Sequence, residues 1–348
     1  MVCYGIGAVG SRIAKFMLEK EGLLIVGAID ADRNKVGKDL GELLELNKKL
    51  DVVVSDDVDK VLSKASCDVV VHATSSYLKD VYQQIAPLAK YGVNVISTCE
   101  ELSYPFVSEP ELAKKLDTLG LKYAMTFLGT GINPGFLMDT LVITLTGACQ
   151  KVEKITAQRV MNAATRRVPF QKKIGAGLTV DEFKKKMATK EITGHVGLEQ
   201  SIGMIAAALC WDLDKITVDT VEPVVAQREV QSDAIKVKKG QVAGLKQTAR
   251  GIMKRKDAIT LDFQAYIGAK DEHDSIIIEG LPPIHQTISP CVHGDHATVA
   301  MIVNAIPKVM NAHPGLLTMK DLPVPSAAVE DMRKYLETQW LPQPSHGK

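Results

Sequence analysis

The sequence predicts an α/β chain, a doubly wound parallel sheet followed by a mixed α+β domain. Three observations predict it. The first is a glycine-rich turn, Gly5-Ile6-Gly7-Ala8-Val9-Gly10, set between a short apolar strand and a stretch at helical spacing that begins at Ser11. The second is an alternation of short strands rich in valine and isoleucine with helical segments, as a parallel sheet covered on both faces requires. The third is a change after Gly135, where strand-like stretches carry polar interruptions, the mark of a mixed or antiparallel sheet with one solvated face.

In the first part, strands are expected at Val2–Tyr4, Leu23–Ile29, Asp51–Val54, Asp68–Ala73, Asn94–Ser97 and Lys122–Thr126. Helices fall between them at Ser11–Lys20, Val58–Lys64, Tyr77–Tyr91 and Glu109–Leu119. The last is well punctuated: Ser108 and Glu111 fit a capping box, Pro110 sits in the first turn and Gly120 follows the end. Right-handed crossovers then give the doubly wound sheet. Beyond Gly135, strands are expected at Lys154–Arg159, Thr217–Val224, Ala258–Tyr266 and Ser275–Ile278. Thr179 and Glu182 form a second capping box, opening a helix to Met187, and Val196–Trp211 is a long, largely apolar helix. Lys236–Lys256, basic and rich in glycine and glutamine, reads as a solvated hairpin or loop, with phosphate binding as the alternative. A final apolar helix, Asp295–Met310, is placed to pack back on the first domain. The proline-bearing tail from Lys320 reads as an extended wrap and a candidate for subunit contacts. The expected domains are 1–137, completed by 293–348, for dinucleotide binding, and 138–292 for substrate binding and oligomerisation.

Composition narrows the class. The 348 residues carry 42 Lys and Arg against 41 Asp and Glu, a net charge of +1, so there is no basic footprint for nucleic acid or a membrane surface. Apolar runs are strand-length or broken by charge, and no basic segment with an apolar core precedes the glycine turn, so neither a bilayer span nor a signal peptide is expected. The six cysteines are scattered with no C-x-x-C pair, which points to a reduced, cytoplasmic enzyme. Cys291, His293, Asp295 and His296 match no tetrahedral zinc spacing, so no metal is expected. Walker and nucleophile-elbow motifs are absent, which disfavours kinase and acyl-transfer chemistry.

The chemistry starts at the glycine turn. Gly5 makes the tight bend, Gly7 lets backbone approach a pyrophosphate, and Gly10 lets the helix pack on the strand; Ala8 and Val9 complete the loop. Asp30 ends the second strand, where a carboxylate accepts from ribose hydroxyls. Together these make a Rossmann dinucleotide site. The acid favours NAD; Arg33 leaves NADP open through a 2′-phosphate, with a surface ion pair as its alternative. Ala73, Thr74 and Ser75 end the fourth strand and Cys99, Glu100 and Glu101 follow the fifth, so both segments are expected beside the nicotinamide. Glu100 or Glu101 could serve there as a general base; the alternative is that one or both cap a turn or face solvent. Asn133, in the glycine loop Gly129–Phe136, is placed to hydrogen-bond a carboxamide or the substrate, or else the loop is a plain hinge. Asn162, Arg166 and Arg167 precede a Gly-Ala-Gly turn, and guanidinium grips a carboxylate in bidentate fashion. His195 opens an apolar helix as an N-terminal cap or a pocket residue.

These residues carry a resemblance. The segment from Asp30 to Leu43, placed after the glycine turn, is similar to that of dihydrodipicolinate reductases, two-domain enzymes with a Rossmann half and a mixed-sheet half. Ser97-Thr-Cys-Glu-Glu-Leu102, Gly131-Ile-Asn-Pro-Gly-Phe136, Arg166-Arg-Val-Pro-Phe-Gln171 and Gly194-His-Val-Gly197 together resemble a narrower group, the 2,4-diaminopentanoate dehydrogenases and the native amine dehydrogenases. The paired histidines and the Lys-x-Asp-x-Pro-Ser-Gly-Thr loop of the reductases are missing, with Asn162 and Gln171–Gly177 in their place. The resemblance implies NAD(P)-dependent oxidative deamination of 2,4-diaminopentanoate at C4, giving 2-amino-4-oxopentanoate and ammonia; the residues fit that chemistry, with Glu100 or Glu101 placed as base and Arg166 or Arg167 on the carboxylate. The alternatives are an amine dehydrogenase for simpler amines or ketones, a reductase of the dihydrodipicolinate type and, last, a nonenzymatic NAD(H) sensor. The expected partner is a small-molecule amine substrate, and the expected assembly a homodimer.

Overall fold

Short β-branched strands and the helices between them build the first of two units, residues 1–105, 109–131 and the chain from Asp295 onward. The computed structural model describes residues 1–64 and 66–337. In chain order come β1 (Val2–Tyr4), α1 (Gly10–Leu18), β2 (Gly27–Ile29), α2 (Leu40–Leu43), β3 (Val54–Ser55), α3 (Val58–Leu62), β4 (Val69–His72), α4 (Leu78–Ile85), β5 (Asn94–Ser97), α5 (Pro110–Tyr123) and β6 (Thr126–Gly129). The unit is completed after the second one by α10 (Gly294–Met310) and β16 (Gly315–Leu317). All these strands pair in parallel, in the order β16-β6-β5-β4-β1-β2-β3. The order reverses between β1 and β4, where open α/β sheets bind their ligands at the carboxyl ends of the strands. Leu78, Val81 and Ile85 of α4 and Ala113 and Leu116 of α5 share one buried core with Val2, Val70, Val95 and Phe127. The tail folds back on this unit: Lys20 Nζ donates to the Ala328 carbonyl, and Met332 N–H to that of Glu21. Its last part, 338–348, lies outside the described residues.

The second unit comprises 106–108 and 132–294. It holds α6 (Thr140–Thr146), β7 (Lys151–Asn162), α7 (Val168–Lys173), α8 (Val180–Ala188), α9 (Leu198–Ala208), β8 (Lys215–Val218), β9 (Glu222–Val225), β10 (Val230–Gln231), β11 (Lys236–Val237), β12 (Val242–Met253), β13 (Lys256–Tyr266), β14 (His273–Leu281) and β15 (Ile284–Ile288). Its main sheet runs β15-β14-β7-β13-β12-β8, with β9 also on β12; β7 and β13 are parallel and the other pairs antiparallel. It is the mixed sheet expected beside a Rossmann half. The α8 capping box forms as read, Thr179 and Glu182 each satisfying the other's backbone.

Four local readings are corrected. Lys122 and Tyr123 belong to α5, and the sixth strand begins at Thr126. Gly120 lies within that helix, where a Cβ would come within 2.8 Å of Gly315 Cα; the glycine serves the approach of β16, not the helix end. Ser108 does not cap α5: the N-cap is Glu109, and the Ser108 hydroxyl accepts from Gln200 Nε2 at 3.0 Å. Most of Lys236–Lys256, read as a solvated hairpin or loop, is β12, which does turn at Met253–Lys256 into a hairpin with β13 but is a strand paired on both sides, with Val242, Ala243, Leu245 and Ala249 buried rather than solvated.

Candidate active site

At the glycine turn, three glycines meet three different surroundings. Gly5 has φ +91°, and a Cβ there would lie 2.4 Å from the Ala73 carbonyl oxygen. At Gly10 a Cβ would lie 1.8 Å from the Gly5 carbonyl oxygen, but at Gly7 it would meet nothing within 4 Å. Protein therefore fills two sides of the turn, and the third, where Gly7 and Ala8 are exposed and Val9 half-buried, is left open. α1 starts there with neither a side-chain cap nor an acidic residue in its first turn, so its positive end is available to an anion. This cradle fits a dinucleotide pyrophosphate.

Asp30 closes the β2 end of the cradle. Its Oδ2 accepts from Ile6 N–H at 2.7 Å and Lys35 Nζ at 2.9 Å, and its Oδ1 from Asp32 N–H at 2.9 Å. Burial works to raise its carboxyl, but the Asp32 and Ile6 N–H groups and the Lys35 ammonium together bring it below the usual carboxylate range. Arg33 is exposed and forms no ion pair among the described residues. Lys35 was not among the residues singled out from the sequence.

The β4 and β5 ends are tied through His72. Its Nδ1 lies 2.9 Å from Ser97 Oγ, and its Nε2 2.8 Å from Gln84 Oε1 and 3.0 Å from Thr74 Oγ1. Burial pushes this imidazole down to about 4, so it is neutral. Gln84 Oε1 can only accept, which puts the ring proton on Nε2 and leaves Nδ1 to accept from Ser97. Ala73 donates its N–H to the Tyr4 carbonyl, and the Ser75 hydroxyl donates to Asp80 at 3.1 Å. Cys99 is buried, its thiol pushed up to about 12 by burial, and it donates to the Ser76 carbonyl. Glu101 Oε2 accepts from Leu78 N–H at 2.7 Å, which sets a carboxylate on the first turn of α4. Glu100 is half-buried, and its carbonyl accepts from the Ser103 hydroxyl.

In the second unit, Asn133 and His195 come together although 62 residues separate them, with Asn133 Nδ2 3.0 Å from His195 Nε2. An amide N–H donates, so Nε2 accepts and the ring proton sits on Nδ1. Burial first, then the nearby Lys173 and Arg159 cations, push His195 down to about 3. The ring stacks on Phe263 at 4.3 Å with a 7° interplanar angle. It does not cap α9, whose N-cap is Gly197. Asn133 Oδ1 is buried and has no hydrogen-bond partner among the described residues.

The cationic segment is folded on itself. Asn162 Oδ1 accepts from the Ala164 and Gly268 N–H groups, both at 3.1 Å. The Arg166 guanidinium lies 4.8 Å over the Phe170 ring, and Gln171 donates to the Ala164 and Arg166 carbonyls. Arg167 is the N-cap of α7. A cation that sequence reasoning missed is Arg159, fully buried and paired with Asp274 at 2.7 Å. Its place on β7 opposite Asp274 on β14 depends on strand register, which a single segment does not reveal. Among the described residues no three of His, Cys, Asp or Glu gather as metal ligands would.

The family model for the 2,4-diaminopentanoate dehydrogenase C-terminal domain matches residues 136–338, and that for the dihydrodipicolinate reductase N-terminus matches 1–99. The chain is 36% identical to 2,4-diaminopentanoate dehydrogenase of Acetoanaerobium sticklandii over 345 residues, 97% of each protein. It belongs to the 2,4-diaminopentanoate dehydrogenase family. It is also 25% identical to an amine dehydrogenase of Streptomyces virginiae, over 93% of this chain and 96% of that one. The solved structure of an amine dehydrogenase from Mycobacterium smegmatis superposes with a TM-score of 0.79 at 29% identity, covering 92% of this chain and 95% of the other. Membership makes this chain an NAD(P)-dependent oxidoreductase, in agreement with the open cradle at Gly7. No helix among the described residues is long and apolar enough to cross a membrane.

Proposed function

We propose that the chain oxidises 2,4-diaminopentanoate at C4, giving 2-amino-4-oxopentanoate, ammonia and the reduced cofactor, and that it runs in reverse as a reductive amination. The observation that carries this reading is the chain's 36% identity, over 97% of its length, to a 2,4-diaminopentanoate dehydrogenase. In the second unit the His195 ring, with Nε2 accepting from Asn133 and its proton on Nδ1, supplies a hydrogen-bond donor that suits a carboxylate. Arg166 and Arg167 are the further candidates for that carboxylate, and the buried Asn133 Oδ1 suits an N–H donor. When bound, the nicotinamide accepts the hydride from C4.

Hydride can leave only if the nitrogen lone pair is available, and an alkylammonium has a pKa of about 10, so a proton must first be taken up. Glu100 or Glu101 takes it. Loss of the hydride leaves an iminium at C4; after the carboxyl has released its proton to solvent, the carboxylate takes a proton from water as the water adds to C4, and the resulting carbinolamine, protonated on nitrogen, collapses to the ketone as ammonia leaves. Glu101 is fixed by Leu78 N–H, so its geometry is set before substrate arrives.

Glu100→Gln and Glu101→Gln should differ sharply. One is expected to lower turnover at least ~100-fold, the scale of a lost general base, while keeping NADH binding; full activity in both variants overturns the assignment. A carboxylate-free amine of the same length, such as 2-aminopentane, should be a far poorer substrate. Equal rates would favour an amine dehydrogenase for simpler amines. We also propose a homodimer, to be read as twice the chain mass by light scattering, and a cytoplasmic setting suited to six free cysteines.

A further inference from the structure

The rim of the cradle beyond Asp30 does not look like that of a site restricted to NAD. In such a site the carboxylate at the β2 end serves two ends: it accepts from the ribose hydroxyls, and its charge repels a 2′-phosphate. Here Asp30 already accepts three hydrogen bonds from its own chain, and one of them comes from an ammonium, Lys35 Nζ at 2.9 Å. The same ammonium lies 3.8 Å from Asp32 Oδ2. The turn is built to bring it there: Asp30 Oδ1 holds Asp32 N–H, Asp32 Oδ1 holds Asn34 N–H, and Lys35 N–H donates to the Asp32 carbonyl. Lys35 is half-buried, with its ammonium against the carboxylate that would reject the phosphate. Arg33, the cation suggested by the sequence, is exposed and forms no ion pair among the described residues.

We propose that Lys35 is the residue through which this chain accepts NADP as well as NAD: it neutralises Asp30 and presents a positive charge to the 2′-phosphate. The inference rests on the NAD(P) reading of the glycine cradle and is independent of the amine substrate. A neutral ribose hydroxyl gains little from an ammonium, whereas a phosphate dianion gains a charge-assisted hydrogen bond. Removing the charge should therefore act on one cofactor and spare the other. Lys35 keeps Asp30 as half of an ion pair, so without it the uncompensated carboxylate should repel the phosphate further.

The test is direct binding, read from the fluorescence of NADH and NADPH titrated against the wild type and the Lys35→Met, Lys35→Arg and Arg33→Ala variants, each at low and high salt. Methionine keeps the length of the stem and removes the charge. Lys35→Met is expected to weaken NADPH roughly tenfold or more, the scale of one lost hydrogen bond to a charged group, with NADH changed by less than about threefold. Lys35→Arg should restore NADPH binding, and the salt dependence of NADPH binding should flatten in Lys35→Met. Unchanged NADPH affinity in Lys35→Met overturns the proposal. So does an equal loss of both cofactors, which marks a merely structural role, or a selective NADPH loss in Arg33→Ala with none in Lys35→Met. A split between the cofactors in a protein that fails to oxidise the diamino acid would leave this inference standing and remove only the substrate reading.

Discussion

At the scale of single residues, the glycine turn separates what folding requires from what the cofactor requires. A methyl at position 10 would collide with the Gly5 carbonyl, whereas one at position 7 would meet nothing of the protein. Gly10→Ala should cost roughly 1–3 kcal/mol by overpacking and lower the melting temperature. Gly7→Ala should leave stability within about 0.5 kcal/mol, as a change free of contacts does, yet weaken NADH severalfold or more by placing a methyl where the pyrophosphate approaches. Thermal melts and NADH titration of the two variants check this; Gly7→Ala binding NADH normally would remove the pyrophosphate from that face. The glycines and Asp30 were legible in the sequence because their roles are local and their spacing is fixed by one strand–turn–helix unit. The Asp30–Lys35 pair was not read, because a lysine five residues on resembles any solvated cation until the turn folds it back. Glu101 likewise could be read as base or cap, and only the fold puts Leu78 N–H on its carboxylate.

At the scale of elements, the loop that carries Asn133 is organised by a carboxylate that the sequence did not advertise. Asp139 is fully buried; its Oδ2 accepts from Gly135 N–H and the Ser201 hydroxyl, both at 2.8 Å, and its Oδ1 from Thr140 N–H. Burial pushes this carboxyl up, and the donors pull it back. It thereby ties the 133–139 loop to the starts of α6 and α9, and the loop in turn sets Asn133 against His195. Asp139→Asn would aim an N–H at a donor or leave one unsatisfied, at a cost of roughly 1–3 kcal/mol. Asp139 is buried with its oxygens on three protein donors, so the expected signature is a lower melting temperature together with a raised KM for the diamino acid and an unchanged NADH affinity. An unchanged KM would limit Asp139 to stability alone. The same dependence on distant partners explains which elements were misread. β12 carries Gly244, Lys246, Thr248, Arg250 and Gly251, loop-like in isolation, because its polar residues alternate onto a half-buried face and Gly251 makes room for Ile202 of α9. The capping box at Ser108 failed because the helix takes Glu109 as its N-cap, one residue later, which leaves Ser108 and Glu111 out of register, and the Ser108 hydroxyl accepts instead from Gln200, far along the chain. At Thr179 the helix starts in register, and the box formed.

At the scale of the whole molecule, the buried imidazoles decide how the fold responds to acid. His72 titrates at about 4 in the folded chain against an ordinary value of 6.5, and His195 at about 3. Between those limits the unfolded chain binds protons that the folded chain refuses, so stability falls as pH drops below 6.5 and levels off below the folded values. For His72 alone the full loss is about 3 kcal/mol. The carboxylates held low, Asp30 and Asp39 among them, act in the same direction, but around and below 3.8. Asp139 and Asp274, whose carboxyls burial raises, oppose the trend above 3.8. A difference measurement isolates the imidazole from these. Urea unfolding of the wild type and His72→Gln at pH 7 and pH 4.5 should show a smaller loss in the variant, whatever its stability at pH 7, because glutamine has no proton to refuse. Equal losses would mean that His72 is protonated in the fold. That result would also break the tautomer on which the Ser97, Thr74 and Gln84 contacts depend, and with it the fixed ends of β4 and β5 where the nicotinamide is expected to lie.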